Sequence, residues 1–294
     1  RPPPSVPSRI TKPPPIVSYN EKLNPPSDTY RADLSVPERK PNQNYFAYLY
    51  HCGRAYGTFY KTGIKRVYAM TKLAKTYRQK QKLSGESSLT RAEWQVIRRS
   101  RGDMLRLLPF GALVVVFGEW LPLFVMWLTP VVPEACRIPK QTQRVLSKLE
   151  ARRRERERRL AIDAARLIQQ DRRPGSRIGE TSHSLQRPFT TLIPDAIDKI
   201  DMFSLLTVSA KLDSHSWVWD KLFLTPPRAV LKWQIRRRLE YLRKDDERID
   251  RDGGWQGLGK QEVERACIER GYDILGKSES EMRRSLAGWF GGGK

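Results

Sequence analysis

A long run of apolar residues in the first half of the chain, residues 104–132, restricts most strongly what this protein can fold into. As a helix, residues 107–128 would be about 33 Å long, and the hydrocarbon core of a bilayer is about 30 Å thick. The run is apolar on every side and longer than most buried helices of globular domains. We therefore predict one transmembrane helix at residues 104–132, with a buried helix of a folded domain as the alternative.

Two residues inside the predicted span, Glu119 and Pro122, are unfavourable in a lipid-facing helix. An ionisable carboxyl group loses its hydration in lipid, and proline removes a helical hydrogen bond, here the one to the carbonyl oxygen of Gly118. The pair predicts a kinked, polar point in the membrane. It would be either a carboxyl that helps helices associate or a site for a proton or a cation, and the residues do not decide between these two roles.

The charge balance points to an anionic partner. The chain has 55 Lys and Arg against 32 Asp and Glu, a formal net charge of +23. Nucleic acid and anionic lipid headgroups both fit such a charge. Cys52, Cys136 and Cys267 are too scattered to predict a disulfide framework or a zinc site, so we expect a reducing compartment, no cofactor and no metal.

Composition divides the rest of the chain into segments. Residues 1–43 are rich in proline and predict an extended or disordered arm. Residues 44–103 place aromatic and basic side chains at helical spacing, which predicts basic amphipathic helices that lie on a membrane surface or pack against another helix. Thr90 and Glu93 form the pattern of a capping box at the start of a helix that leads into the apolar run.

Residues 133–184 predict a charged linker helix followed by a loop. Residues 141–173 lack proline and glycine, and their middle part, residues 152–159, is dense in arginine and glutamate. We expect these arginines either to form a solvated face held by Arg–Glu pairs or to contact the phosphates of RNA or lipid.

Residues 185–294 predict a compact helical domain. The helix that follows Thr225 and Pro226 carries an apolar row and, on other positions, a set of cations that we predict to bind an anionic partner. The row is Leu231, Ile235, Leu239 and Leu242, and the cations are Arg228, Lys232, Arg236, Arg237, Arg238 and Arg243. Two shorter helices follow, residues 261–270 and a helix that starts at the capping box of Ser278 and Glu281. Because no strand of useful length is predicted anywhere, the fold class is all-α.

Catalytic patterns are not supported. Residues 254–260 imitate the glycine and lysine spacing of a phosphate-binding loop, but Gln261 stands where such a loop needs Ser or Thr. No nucleophile, base and orienting residue occur together at an interpretable spacing. We predict that the chain is not an enzyme and has no small-molecule substrate.

The segments LKWQIRRRLEYLRKDDERID at residues 231–250 and VERACIERGYDILGKSESEMRRSLAGWF at residues 263–290 resemble the LETM family of mitochondrial inner-membrane proteins. SLTRAEW at residues 88–94, RGDMLRLLPF at residues 101–110 and the Glu119 and Pro122 pair resemble it as well. The family's coiled coil and calcium-binding loop do not follow, so we expect a shortened member.

The resemblance implies a single-pass protein of the mitochondrial inner membrane whose carboxy-terminal domain lies in the matrix and binds the mitochondrial ribosome. It also implies a role in the insertion of newly made proteins or, alternatively, in the exchange of potassium or calcium against protons. One span is too little for a transport pathway, so exchange would require a homo-oligomer or helices from a partner.

A minor alternative is DNA binding. The helix–loop–helix at residues 259–290 is similar to the SAP motif, a small basic DNA-binding module. Its phosphate contacts would come from Lys260, Arg265, Arg270, Lys277, Arg283 and Arg284.

Overall fold

The structure, a computed structural model, describes residues 20–31, 34, 36–39, 41, 44–117, 132–171, 197–198, 200–222 and 224–291. Within these residues the secondary structure is helical, with no strand, which confirms the predicted all-α class. The helices are α1 (Tyr45–Ser84), α2 (Arg91–Phe117), α3 (Pro139–Asp171), α4 (Met202–Lys211), α5 (Trp217–Lys221), α6 (Arg228–Asp252), α7 (Lys260–Glu269) and α8 (Glu279–Gly291).

Helices α1 and α2 pack against each other through rows of apolar residues. Met70 and Ala74 of α1 contact Val96 of α2, and further along the pair Phe59 and Tyr60 pack with a second cluster. That cluster is completed by Phe110, Val132 and Cys136. This part of α1 thus packs against another helix, which was one of the two alternatives. Exposed aromatic residues occur at the beginning of α1, namely Tyr45, Phe46 and Tyr50, and also further along at Tyr68.

The start of α2 has the predicted capping box. The backbone N–H of Thr90 donates to Oε2 of Glu93 at 3.0 Å, and the N–H of Glu93 donates to Oγ1 of Thr90 at 3.3 Å. These reciprocal bonds satisfy donors that the first turn of a helix leaves free. The helix then runs to Phe117, and exposes Leu105 and Leu108 on the way.

The predicted membrane span is only partly covered. Residues 118–131, with Glu119 and Pro122, lie outside the described residues. Among the helices of the described part, none combines the length and the apolar character that a crossing of the bilayer needs. The N–H of Glu134 donates to Oδ1 of Asp103 at 3.1 Å, so the two ends of the run lie side by side, whereas one straight helix would place them about 45 Å apart. A single-pass helix does not fit these flanks, and the membrane location of residues 104–132 stays a prediction.

The carboxy-terminal domain is built around α6. The predicted apolar row of α6 is buried, with exposures of 0% for Leu231, 1% for Ile235, 7% for Leu239 and 1% for Leu242. It packs against Leu205 and Val208 of α4, a helix that the sequence analysis did not identify. The second half of α6 continues into another cluster, where Ile249 meets α7 and α8. Burial of this row orients the other faces of α6.

A glycine allows α7 to end close to α4. Gly271 has a φ of +85°, which side-chain-bearing residues rarely adopt, and a Cβ placed there would lie 2.6 Å from the carbonyl oxygen of Lys211. Gly271 thus ends α7 as predicted and also permits the contact with α4.

Residues 20–31, which belong to the proline-rich segment, pack on the carboxy-terminal domain. Leu23 is fully buried in the cluster formed by Ile249, α7 and α8. Nδ2 of Asn24 donates to the carbonyl oxygen of Gly257 at 3.0 Å, and the N–H of Gly259 donates to Oδ1 of Asn24 at 2.7 Å. Proline content did not indicate this contact, which makes a short amino-terminal segment part of the domain's core.

Candidate functional site

The six cations predicted to bind an anionic partner occupy different surroundings on α6. Arg228 donates to the carbonyl oxygen of Ile200 at 2.8 Å, and Lys232 and Arg236 lie 3.3 and 2.8 Å from the carboxylate of Asp198. Half of the predicted set is therefore already engaged by the segment before α4.

The other three cations each have a different neighbour, and they are Arg237, Arg238 and Arg243. Arg243 lies 3.6 Å from the carboxylate of Glu247, one turn later. Arg237 lies over the ring of Trp233, with Cζ 5.6 Å from the ring centroid. Arg238 donates to the carbonyl oxygen of Glu269 at 2.8 Å. Of the six cations, Lys232 and Arg236 thus share Asp198, and Arg237 and Arg238 both line a surface that also includes α2 and α3.

That surface is a cleft of about 470 Å³ between α2, α3, α6 and the end of α7. We call it the arginine cleft. Its polar wall is formed by Arg98 of α2, Arg153 of α3, and Arg237 and Arg238 of α6, and Trp233 lies at its edge with 60% of its surface exposed. The sequence analysis did not select Arg98, because nothing in its local pattern showed that α2 would lie beside α6.

The DNA-binding alternative loses several of its contacts. Arg270 is fully buried and bonds to Asp245 and Asp246. Arg265 pairs with Glu134, and Arg283 lies 2.9 Å from the carboxylate of Glu279. Residues that already neutralise carboxylates within the chain contribute less to phosphate binding, so the predicted set does not form a free basic face.

A buried network of charges connects α2 with the carboxy-terminal domain. Nε of Arg91 lies 2.9 Å from Oδ1 of Asp245, and Nη1 of Arg91 lies 3.0 Å from Oε2 of Glu262. The side chains of all three residues are 0% exposed. Arg99 adds a bond of 2.8 Å to the same oxygen of Glu262, and Arg270 adds one of 2.9 Å to Asp245.

The network also includes neutral groups. Nε2 of Gln95 donates to Oδ1 of Asp245 at 2.8 Å, and the hydroxyl of Tyr30 donates to Oε1 of Glu262 at 2.8 Å. Buried carboxylates are tolerated only when their oxygens are bonded in this way. The network therefore requires α2, α6, α7 and the amino-terminal segment to be present together.

The arginines hold the carboxylates of the network in the charged form. Burial by itself raises the pKa of Asp245 and of Glu262, but the neighbouring guanidinium groups outweigh it. Both pKa values consequently lie below the ordinary values of 3.8 and 4.5.

Part of this network could have been recognised from the sequence. Asp245 lies three residues after Leu242 and four before Ile249, so it falls on the apolar row of α6. An acidic residue on a buried row needs a cationic or donor partner. The sequence shows the need for a partner but not its identity, because Arg91 is 154 positions away.

A second set of arginines fixes α3 to the domain. Arg156 is 5% exposed, and its Nη1 lies 2.7 Å from Oδ1 of Asp213. Its Nε lies 3.0 Å from Oδ2 of Asp220, and its Nη2 donates to the carbonyl oxygen of His215 at 3.1 Å. Arg153 is 3% exposed and donates to the carbonyl oxygen of Ile268 at 2.7 Å.

These contacts revise the interpretation of residues 152–159. Glu155 pairs with Arg158 and Arg159 on the solvent side, which matches the predicted solvated face. The buried Arg153 and Arg156 match neither alternative, because they bind carbonyl and carboxylate groups of the same chain. Helix α3 thus packs along the domain, and does so through the charged segment itself.

The comparisons with known proteins agree with this architecture. A family model described as LETM1-like, RBD, matches residues 218–291, which include α6, α7 and α8. The mitochondrial proton/calcium exchanger protein of Drosophila melanogaster is 24% identical over 227 residues, which is 71% of this chain and 21% of that relative. The chain thus spans about a fifth of the length of that curated relative. No solved structure matches. These findings confirm the resemblance to the LETM family.

Proposed function

We propose that this chain, which resembles the LETM family and whose residues 218–291 match the model described as LETM1-like, RBD, binds the mitochondrial ribosome at the inner membrane. The match of residues 218–291 is the observation that carries the proposal. A protein that holds ribosomes at the membrane supports the insertion of newly made membrane proteins, since the nascent chain then emerges beside the bilayer.

The buried charge network supports a role in tethering. Arg91 joins the first turn of α2 to Asp245 and Glu262 of the carboxy-terminal domain. Along α2, Met104 lies about 20 Å beyond Arg91, where the apolar run of residues 104–132 begins. The domain and the proposed membrane anchor are therefore connected by a helix that is fixed at the domain end rather than by a flexible linker.

The proposal includes a topology. The apolar run of residues 104–132 lies in the inner-membrane lipid and the carboxy-terminal domain lies in the matrix, where mitochondrial ribosomes are. Because Arg91 before the run pairs with Asp245 after it, both flanks of the run lie on the matrix side. Exposed apolar residues such as Leu105, Leu108 and Val116 lie on the part of α2 that would approach the lipid.

Cosedimentation tests the proposal. The full chain in detergent micelles is mixed with purified mitochondrial ribosomes and centrifuged through a sucrose cushion, with deoxyribonuclease added to half of the samples. We expect the chain in the ribosomal pellet in both halves. A chain that stays in the supernatant would contradict the proposal, and a pellet that disappears with deoxyribonuclease would favour the SAP-like alternative.

A second candidate function is cation/proton exchange, because the Drosophila relative is a mitochondrial proton/calcium exchanger protein. In this reading Glu119 is the titrating group, Pro122 leaves a backbone carbonyl oxygen available beside it, and several copies surround a shared path. Purified protein in liposomes, with calcium- or potassium-driven proton flux as the readout, tests it. The parent is compared with Glu119→Gln and with the control Glu155→Gln, whose carboxylate pairs with arginines on α3. Flux no greater than in empty liposomes would exclude exchange by this chain alone.

A further inference from the structure

The arginine cleft combines positive charge with unused hydrogen-bonding atoms. Its lining contains four arginines and one carboxylate, that of Asp213, which is already bonded to Arg152 and Arg156. Within the described part of the chain, Arg98, Arg153, Arg237 and Arg238 form no ion pair. The excess charge of the cleft is therefore not neutralised by the residues that surround it.

Buried polar atoms in the cleft also lack partners. Nε of Arg153, Nε of Arg238, Oγ of Ser214 and Oε1 of Gln234 are buried and have no hydrogen bond among the described residues. Arg153 is 3% exposed, so its free N–H cannot be satisfied by bulk water. Burial lowers the pKa of the Arg153 guanidinium and Arg238 adds to that shift, whereas the carboxylates of Asp213, Asp273 and Glu150 act in the opposite direction. An anion with several acceptor oxygens would balance the charge of the cleft and accept hydrogen bonds from its exposed guanidinium groups.

Trp233 gives the edge of the cleft an aromatic surface. It is 60% exposed, and the guanidinium of Arg237 lies 5.6 Å from its ring centroid. Binding sites for single-stranded nucleic acids combine a cationic groove for the phosphates with exposed aromatic rings on which bases stack. Both elements are present here on two neighbouring turns of α6.

We propose that the arginine cleft binds an unpaired RNA nucleotide, with the phosphate among Arg98, Arg153, Arg237 and Arg238 and the base stacked on Trp233. This inference deepens the proposed function and rests on it for the source of the RNA, which is the ribosome.

Position favours RNA over a lipid headgroup as the source of the phosphate. Arg98 lies about 15 Å along α2 before Leu108, one of the exposed apolar residues that would approach the lipid. A headgroup bound in the cleft would therefore lie well away from the acyl-chain region. The exposed ring of Trp233 also offers a flat surface on which a base can stack.

The cleft is assembled from segments that are far apart in sequence. Trp233, Gln234, Arg237 and Arg238 belong to the matched residues 218–291, whereas Arg98 comes from α2 and Arg153 from α3. The isolated domain would consequently lack two of the four arginines. A test of the cleft needs the full chain.

RNA binding by the full chain in detergent micelles is measured by fluorescence anisotropy with a labelled 12-nucleotide single-stranded RNA and with an abasic RNA of the same length. The variants are Arg237→Gln and Trp233→Ala, both at exposed positions. The matched control is Arg166→Gln on α3, an exposed arginine that lies outside the cleft and is near Asp163. Circular dichroism confirms that each variant is folded. The expected effect of Trp233→Ala is a loss of about 5- to 100-fold for the normal RNA and little change for the abasic RNA, since stacking contributes about 1–3 kcal/mol for each base.

Arg237→Gln should weaken the binding of both RNAs and lower the slope of log affinity against log salt by about 1, while Arg166→Gln should leave the affinity close to that of the parent. Equal binding by the parent, Arg237→Gln and Trp233→Ala would overturn the inference. The inference would also be overturned if the two variants lost binding only to vesicles of phosphatidylcholine and phosphatidylglycerol, which would assign the cleft to lipid. A loss of binding only to inorganic phosphate would overturn it as well.

Cosedimentation with mitochondrial ribosomes, carried out on the same variants, separates the two proposals. If the parent and all variants bind ribosomes equally, and the substitutions in the cleft do not change the affinity for RNA, the inference fails and the proposed function stands. If RNA binding depends on Trp233 and Arg237 but the parent does not bind ribosomes, the cleft binds RNA and the proposed function fails.

Discussion

Nε of Arg91 lies 2.9 Å from Oδ1 of Asp245, with neither side chain exposed, although 154 positions separate them in the chain. Arg91 belongs to the first turn of the helix that leads to the apolar run, and Asp245 belongs to the central helix of the carboxy-terminal domain. This one pair therefore connects the proposed membrane anchor to the proposed ribosome-binding domain.

Substitution of Arg91 by methionine should destabilise the protein by about 3–5 kcal/mol. Removal of Arg91 from the buried network leaves Asp245 with Arg270 and Glu262 with Arg99 as their remaining cationic partners, so two buried charges are only partly compensated. Urea unfolding of the full chain in detergent micelles, followed by circular dichroism at 222 nm, measures the loss.

The matched control is Arg158→Met on α3. Arg158 pairs with Glu155 on the solvent side, where water screens the interaction. We expect the same unfolding midpoint as in the parent. Similar losses in Arg91→Met and Arg158→Met would show that the Arg91 network contributes nothing specific.

The network should also make stability depend on acid pH. The folded-state pKa values of Asp245 and Glu262 lie below the ordinary values of 3.8 and 4.5. Their contribution is complete above these ordinary values and is lost as the pH falls through them toward the lower folded-state pKa values. Unfolding midpoints measured from pH 7 to pH 3 should fall in the acid part of this range, and less steeply in Glu262→Gln. An identical decline in both proteins would contradict this assignment.

The local features of the fold could be predicted from the sequence, and the contacts between distant segments could not. Leu231, Ile235 and Leu239 are buried as their spacing predicts, and Thr90 and Glu93 form the expected capping box. These features depend on residues within one or two turns of each other.

The candidate site was only partly predictable for the same reason. The spacing of Arg237 and Arg238 on α6 is visible in the sequence, but the walls that surround them, Arg98 and Arg153, come from other helices. Likewise, no local pattern shows that Asp198 engages Lys232 and Arg236. Charge on a helix identifies cations, and the tertiary packing decides which of them remain available.

The amino-terminal segment provides a further prediction. Leu23 is fully buried in the core of the carboxy-terminal domain, and Leu23→Ala should cost about 2–5 kcal/mol because it leaves a cavity. Val36, which is 38% exposed, offers the control Val36→Ala, for which we expect little change. Urea unfolding measures both. A small effect at Leu23 would mean that this segment does not belong to the domain's core.

His215 should give stability a second dependence on pH. Burial lowers its pKa below 6.5, and the neighbouring Arg156 adds to this, whereas Asp220 and Asp213 act in the opposite direction. A base with a lowered folded-state pKa is protonated more readily in the unfolded chain, so stability should fall as the pH decreases below about 6.5.

His215→Gln should remove this decline between pH 7 and pH 5, a range above the ordinary carboxyl values. Oγ of Ser209 lies 2.6 Å from Nδ1 of His215, and glutamine can keep a bond to this hydroxyl. His51, exposed on α1, provides the control His51→Gln, which should keep the pH dependence of the parent. Retention of the decline in His215→Gln would show that another group titrates.

The affinity of the full chain for mitochondrial ribosomes, measured at increasing salt concentration, tests the central claim most directly. Binding through phosphate contacts predicts that log affinity falls linearly with log salt, and that Arg237→Gln lowers the slope by about 1. Affinity that does not change with salt, or no binding at low salt, would contradict the claim that this basic domain binds the ribosome through its RNA.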